Sequence, residues 1–196
     1  KLASRMWART SGGANLVTTY SYTNSGELVG IDYSDSTPDV SFAFNRLGQQ
    51  KTITDGQGVR AFTYNDTLQL ASETNALGLV VRNYDGLGRS TGFSFGSDYS
   101  VAYGFSGDGR FNSVSSSVPF LATYSYLHNS DLVSGYTVSN SGNFVHSVKT
   151  YESNRNLITS IQNVSGTNLI SRFDYTNDQL GLRTLRLDGG SQSLAT

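Results

Sequence analysis

Large side chains recur along the chain in pairs separated by one residue, and the pairs return at intervals of 20–26 residues. Residues i and i+2 lie on one face of a β-strand, and aromatic residues favour such half-buried positions. Each pair therefore predicts a β-strand. We call the second member of each pair the anchor, and the eight anchors are Tyr22, Phe44, Tyr64, Tyr84, Phe105, Tyr126, Tyr151 and Asn177. The first members are Tyr20, Phe42, Phe62, Arg82, Tyr103, Tyr124, Lys149 and Tyr175.

The residues that follow each anchor have the composition of a short turn. The position directly after the anchor is polar in every copy except that of Leu127. The fourth position is glycine in five copies, namely Gly26, Gly48, Gly88, Gly109 and Gly181. Asn or Asp at the start of a turn accepts hydrogen bonds from nearby amides, and glycine near its end adopts a positive φ. A second alternating stretch follows, as in Leu28–Tyr33, so each unit is predicted to be strand, tight turn, strand.

The units return about every 21 residues, which is typical of repeat architectures. Looser links are expected between the units, at residues 55–58, 75–78 and 140–143. The sequence therefore predicts an all-β fold, an array of β-hairpin repeats of about 21 residues with very little helix. Eight such units give about 16 strands, and a twisted open sheet of more than ~10 strands curls or splits. We therefore expect a curved sheet, spiralling or barrel-like.

The whole chain, residues 1–196, is predicted to be a single array. Residues 1–7 have the pattern of a second strand whose partner is missing, so we expect a fragment that is truncated at both ends. Such a fragment would expose two sheet edges, and an exposed edge is a template for pairing with another strand. Edge-mediated self-association is therefore expected.

One copy of the turn is intact, and its residues carry a family resemblance. The segment Tyr84-Asp85-Gly86-Leu87-Gly88-Arg89 matches the Tyr-Asp-x-x-Gly-Arg signature of the Rhs or YD-repeat family, which the chain resembles over almost its whole length. The segment 105–111 is a similar copy and the segment 151–157 a worn one. The structural motif residues by this resemblance are Tyr22, Phe44, Tyr64, Tyr84, Asp85, Gly88, Arg89, Phe105, Gly109, Arg110, Tyr126, Tyr151 and Gly181. Elsewhere the Arg position holds Glu27, Gln49, Gln69, Asp131, Asn156 or Leu182.

The resemblance implies a structural function. In bacterial polymorphic toxins and insecticidal toxin complexes, repeats of this family form a β-shell that encloses a C-terminal toxin, and in animal teneurins similar repeats form an extracellular adhesion barrel. A bacterial protein that is secreted or at the cell surface is implied, with the remaining repeats and a C-terminal domain of a longer protein as partners. The Pro-, Asp- and Gly-rich core segment of the toxin members is not recognisable in this sequence.

Composition excludes several classes of partner. Charged residues make up 15% of the chain and the formal net charge is −1, so no cluster of Lys and Arg is expected to bind nucleic acid or an anionic membrane. The chain has no cysteine, which excludes disulfides and Cys-based metal sites. No apolar stretch approaches the ~20 residues of a membrane-spanning helix.

Candidate catalytic and metal-binding residues have simpler structural interpretations. His128 and His146 lack the spaced carboxylates of a metal site. Asp85, Asp108 and Asp178 all fall at turn positions, where Asp commonly accepts hydrogen bonds from backbone amides. We therefore expect no catalytic residue, no cofactor and no metal, and interpret the chain as non-enzymatic.

The aromatic residues leave one alternative open. Exposed Tyr and Phe rings on a repetitive β-surface can stack on sugar rings, which would make the chain an adhesion or carbohydrate-binding module with glycans as partners. The interpretation that we favour is a ladder in which the aromatic pairs of one hairpin pack on those of the next. Cross-strand aromatic pairs contribute roughly 0.2–1 kcal/mol each to a sheet.

Overall fold

The computed structural model describes residues 1–190, which form seventeen β-strands and no helix. The chain divides into two compact units, Lys1–Ser97 and Asp98–Thr196. The first unit contains β1 (Ser4–Ser11), β2 (Ala14–Tyr22), β3 (Leu28–Tyr33), β4 (Val40–Phe44), β5 (Gln50–Asp55), β6 (Gly58–Tyr64), β7 (Leu70–Asn75), β8 (Gly78–Tyr84) and β9 (Ser90–Phe95). The second contains β10 (Tyr99–Phe105), β11 (Phe111–Ser116), β12 (Phe120–Tyr126), β13 (Val133–Asn140), β14 (Asn143–Tyr151), β15 (Ile158–Ser165), β16 (Asn168–Asn177) and β17 (Arg183–Gly189).

The strands of each unit are connected in the simplest way available to a sheet. Within each unit every strand pairs antiparallel with the next strand along the chain, which makes each unit a meander of hairpins. The predicted all-β array of hairpin repeats is confirmed. The stretch 28–33 that was predicted as a second strand coincides with β3.

The links between repeats differ from the prediction. Asp55 pairs with Gly58 and Asn140 with Asn143, so each of these links is a two-residue hairpin turn. Ser141 and Gly142 both have positive φ, +48° and +89°, as a type I′ turn requires. The prediction of looser links was therefore wrong. The physical reason differs between the links. At residues 140–143 a primed two-residue turn matches the twist of the strands it joins. At residues 55–58 and 75–78 the residue with positive φ is the glycine that ends the turn, Gly58 (+110°) or Gly78 (+144°).

A β-bulge follows every anchor, where the second strand of the hairpin begins. Tyr84 pairs with Ser90, but Asn83 pairs with Gly92, so Thr91 is an extra residue on the second strand. The same register shift occurs at the other seven anchors. A bulge bends its strand and changes the direction of the neighbouring side chains. This bend therefore recurs at the same place in every repeat, beside the longer turn.

Burial is shallow and concentrated on one face of each unit. The most buried apolar side chains in residues 1–190 are Leu16 and Ala122, which are 8% and 5% exposed. The most buried polar ones are Thr18 and Ser147. All four are separated from the anchor of their strand by an even number of residues, so they lie on the face of the sheet that carries the anchors. We call this the anchor face.

Candidate functional site

The anchors occupy one equivalent place in every repeat. They are the last residues of the even-numbered strands from β2 to β16, and this includes Asn177, where no aromatic ring is present. The first strand of each hairpin therefore ends at the anchor and the longer turn follows at once. We describe the anchor, this turn and their hydrogen bonds as the candidate site, because they recur at each repeat.

Two backbone hydrogen bonds close the turn. In the intact copy the amide of Asp85 donates to the carbonyl oxygen of Arg89 at 3.0 Å, and the amide of Gly88 donates to that of Asp85 at 2.9 Å. We call the residue in the place of Arg89 the closing residue. In six of the eight turns the residue in the place of Gly88 has a left-handed backbone, and even Leu68 adopts it, with φ +66°. Such a conformation costs a residue with a side chain roughly 1–2 kcal/mol relative to its usual one.

Two repeats have a turn that is one residue longer. Leu127 donates to the carbonyl oxygen of Leu132, and Glu152 donates to that of Leu157, each five residues further on. The closing residues are therefore Leu132 and Leu157. Sequence spacing assigned Asp131 and Asn156 to the Arg position, but each lies one residue before the closing residue. Counting a fixed number of residues from the anchor does not detect an inserted residue.

The first turn residue caps the turn with its side chain. Oδ1 of Asp85 accepts hydrogen bonds from the amides of Leu87 and Arg89, both at 2.9 Å. Asn45, Asn65 and Asp178 make the same pair of bonds in their own turns. The amide of Arg89 is the main cause that lowers the pKa of Asp85, with the Arg89 guanidinium adding to it. These carboxylates and amides hold the turn in shape.

Asp108 lies differently, although it belongs to the same turn in another repeat. It accepts a short hydrogen bond from the hydroxyl of Ser106, and this bond is the main cause that lowers the pKa of Asp108. Its carboxylate also lies 3.3 Å from Nε of Arg110, which is at the same distance from Asp131. Gly109 has φ +85°, as the fourth turn position requires.

In two repeats the side chain of the closing residue joins its turn to the next one. Nε2 of Gln49 donates to the carbonyl oxygen of Leu68 at 3.0 Å. Nε2 of Gln69 donates to that of Gly88 at 2.8 Å. Arg155, which precedes the closing residue Leu157 of a longer turn, also reaches the next turn, where its Nη1 donates to the carbonyl oxygen of Asp178 at 2.7 Å. Arg155 lies at the fourth position after its anchor, where five other copies have glycine, and nothing in the repeat pattern indicates this role.

In the five repeats whose anchor is tyrosine, the anchor hydroxyl donates a hydrogen bond to a backbone carbonyl that precedes the hairpin. The Tyr64 hydroxyl donates to the carbonyl oxygen of Gln50 at 2.9 Å, and that of Tyr84 donates to Leu70 at 2.9 Å. The other three bonds are Tyr22 to Leu2 at 2.9 Å, Tyr126 to Phe111 at 2.6 Å and Tyr151 to Val133 at 2.8 Å. We call this bond the tyrosine bridge.

The acceptor of each bridge lies beyond the end of the backbone pairing between hairpins. The pairing of β5 with β6 begins at Thr52, two residues after Gln50. The pairing of β7 with β8 begins at Ser72, two residues after Leu70. The hydroxyl therefore donates to a carbonyl oxygen that lies outside the paired residues of the two strands. Such a bond contributes about 1 kcal/mol net.

Asn177 makes the equivalent contact without an aromatic ring. Its Nδ2 lies 3.5 Å from the carbonyl oxygen of Ile158 and 3.0 Å from Oε1 of Glu152. The pairing of β15 with β16 begins at Ser160, two residues after Ile158, which is the same spacing as at the other bridges. The bridge therefore depends on a donor at the anchor position. Sequence reasoning interpreted the anchors as aromatic packing groups and missed this donor, although Tyr outnumbers Phe among them.

Aromatic rings of the second unit pack across strands and from hairpin to hairpin. Ring centroids are 6.0 Å apart for Tyr124 and Tyr136, which are direct cross-strand partners. They are 5.5 Å apart for Phe111 and Tyr124, which belong to successive hairpins. Phe111 also lies 5.8 Å from Phe105 in an edge-to-face arrangement. Arrangements of this kind add roughly 0.5–1.5 kcal/mol beyond area burial.

The remaining candidate residues are dispersed. His128 is exposed, and Nδ1 of His146 shares a hydrogen bond of 2.7 Å with Thr137. No group of three or more His, Asp or Glu side chains within residues 1–190 is placed to hold a metal ion. The same residues contain no helix with the length and apolarity needed to span a bilayer.

These observations define a class, an all-β protein built from hairpin repeats that are joined by strand pairing, turn-to-turn side chains and tyrosine bridges. No protein-family model and no curated protein matches the chain. Its fold is similar to part of the crystal structure of TcdB2-TccC3-TEV, with a TM-score of 0.47 and 12% identity over 86% of this chain and 12% of that one. A crystal structure of TcdB2-TccC3 gives a TM-score of 0.44 and 12% identity, over 91% of this chain and 11% of that one.

A third similar structure is a Photorhabdus luminescens Tc holotoxin pore. Its TM-score is 0.36 at 12% identity, over 88% of this chain and 14% of that chain. The chain thus spans less than a sixth of the length of each of these proteins. The likeness lies between this chain and a short part of much larger molecules.

Proposed function

We propose that the chain is a structural repeat segment of an Rhs/YD-repeat protein, part of a β-shell that encloses or presents a C-terminal toxin domain. The observation that carries this proposal is the tyrosine bridge at the anchor of the family motif. It recurs at Tyr22, Tyr64, Tyr84, Tyr126 and Tyr151. A hydroxyl that joins a hairpin to its predecessor gives a physical reason for tyrosine in the Tyr-Asp pair.

The other motif residues support the same proposal, each through a bond that shapes or joins turns. Asp85 caps its turn, Gly88 supplies the left-handed backbone and Arg89 closes the turn and pairs with Asp85 at 2.7 Å. All three act on the chain itself, so we propose a non-catalytic role with no cofactor. The partners are then the other repeats and the C-terminal domain of a longer, secreted bacterial protein, in which residues 1–196 form one array.

The test begins with the complete reading frame, which should continue into further repeats and a variable C-terminal domain. The full-length protein is then digested with a protease under native conditions, alongside the separately expressed C-terminal domain. We expect the domain to survive within the full-length protein at protease concentrations that degrade it alone. Equal rates of degradation would contradict enclosure.

The alternative function is an extracellular adhesion or carbohydrate-binding module. The feature that favours it is a cavity of about 170 Å³ lined by Trp7 and Tyr33, with Arg9 and Asp35 as polar neighbours. An aromatic ring beside charged groups is an arrangement that can hold a sugar. A glycan array decides between the two functions, with Trp7→Ala as the variant and Tyr99→Ala as the control. Binding that Trp7→Ala alone abolishes would favour the alternative.

A further inference from the structure

The outermost strand of the second unit has an edge with a defined shape. Strand β17 pairs with β16 on one side, and all seven of its residues are exposed. Leu185 and Leu187 lie in this strand, and their side chains are 48% and 58% exposed. Exposed strand edges carry backbone donors and acceptors that a further strand can use.

Contacts between successive hairpins inside the chain follow one rule. On the earlier strand, the first residue that pairs with the next hairpin lies two residues after the acceptor of the bridge. On the later strand, the partner of that residue lies three residues before the anchor. In β6 this partner is Ala61, opposite Thr52, and the anchor is Tyr64. In β8 it is Val81, opposite Ser72, and the anchor is Tyr84. Strands β2, β12, β14 and β16 obey the same spacing.

The rule can be applied to β17. Arg183 pairs with the anchor Asn177, so it holds the place that Gln50 and Leu70 hold after their own turns. We propose that the outer edge of β17 binds a further antiparallel β-strand that ends in tyrosine, with its pairing beginning at Leu185 and its hydroxyl donating to the Arg183 carbonyl. This rests on the proposed function, because such a strand is the start of another repeat.

The exposed side chains of β17 indicate which strand fits best. In the register above, a strand with the sequence of β8 places Val81 opposite Leu185 and Leu79 opposite Leu187. Apolar cross-strand pairs of this kind stabilise a sheet. A second copy of the chain fits less well at its fully exposed strands, because β1 ends at Ser11 and β17 at Gly189. The sequence of residues 191–196 contains no tyrosine either.

The test uses the whole chain and a fluorescent peptide with the sequence of residues 78–84. We expect saturable binding by fluorescence anisotropy. The matched peptide with Tyr84→Phe lacks one hydroxyl and should bind about 5-fold more weakly, as expected for the loss of one hydrogen bond of about 1 kcal/mol. A scrambled peptide should not bind. Equal affinity for the tyrosine and phenylalanine peptides would overturn the assignment of the bridge.

Substitutions in the protein locate the binding edge. Leu187→Lys should weaken peptide binding several-fold, whereas Leu121→Lys, at an exposed leucine of β12 that is paired on both sides, should leave it unchanged. Circular dichroism confirms that both variants are folded. Equal effects of the two substitutions would refute binding at β17. So would concentration-dependent self-association that Leu187→Lys abolishes and the peptide does not displace, since a second copy would then be the occupant.

The two proposals fail separately. Absence of peptide binding would remove the strand-addition site while leaving the protease protection of a C-terminal domain to be measured independently. A reading frame without a toxin domain would remove the enclosing function, and the tyrosine-dependent peptide binding would still be observed.

Discussion

Removing the hydroxyl oxygen of one tyrosine bridge should change the free energy of unfolding. Tyr84→Phe removes the hydroxyl that donates to the Leu70 carbonyl at 2.9 Å and retains the ring. A neutral hydrogen bond contributes about 0.5–1.5 kcal/mol to the free energy of unfolding. The acceptor lies at the start of β7, where water can replace part of the lost bond, so we expect destabilisation of about 1 kcal/mol.

Phe44 provides a control in the opposite direction. It is an anchor without a hydroxyl, and the pairing of β3 with β4 begins at Gly30, two residues after Leu28. Leu28 therefore holds the acceptor place of the bridge. Phe44→Tyr should donate to its carbonyl and stabilise the protein by up to about 1 kcal/mol.

Urea unfolding followed by circular dichroism measures both variants. With a slope of about 2–3 kcal/mol per molar urea, a change of about 1 kcal/mol moves the midpoint by about 0.3–0.5 M. Tyr84→Phe should lower the midpoint and Phe44→Tyr should raise it. If neither substitution moved the midpoint, the hydroxyl would contribute nothing and the reasoning on the anchor would be refuted.

Three further predictions concern the turns. Leu68→Gly should stabilise the protein by about 1 kcal/mol in urea unfolding, because Leu68 has φ +66° and its side chain is 54% exposed; destabilisation would contradict this account of the fourth position. Gln69→Ala should cost about 1 kcal/mol, since it loses the bond to the Gly88 carbonyl, whereas Gln57→Ala in a link turn should be neutral, and equal effects would refute the turn-to-turn role. The pKa of Asp85 is lowered in the fold, so its stabilisation is complete above the unfolded pKa of about 3.9 and is lost as pH falls through the lower, folded value. Asp85→Asn should therefore flatten the acid limb of the stability profile, and an unchanged limb would contradict the assignment.

The repeat and its fold could be predicted from the sequence because both are determined by the pattern of side chains. Alternation at Tyr20 and Tyr22 specifies a strand face, and Asn45 with Gly48 specifies a turn. The three link segments were located correctly but judged too loose. Their tightness depends on where the positive φ values fall, at Ser141 and Gly142 in one link and at Gly58 and Gly78 in the others, and serine at such a position gives little warning of them.

The bonds that join repeats could not be predicted, for a physical reason. The acceptors of the tyrosine bridges are backbone carbonyls, so residues as different as Gln50, Leu70 and Val133 serve equally well. No pattern of side chains marks them. Arg155 makes its bond from the fourth position after the anchor and not from the closing position, which Leu157 holds, so the motif gives no indication of its role.

The account depends most directly on first strands such as β6 and β12 pairing on both sides within their unit. Nuclear Overhauser contacts between backbone protons measure this. Ala61 should show cross-strand contacts both to Thr52 of the preceding hairpin and to Thr74 of its own, and Ala122 both to Val114 and to Val138. Contacts to one side alone, or the sequential pattern of a helix at these residues, would contradict the hairpin array.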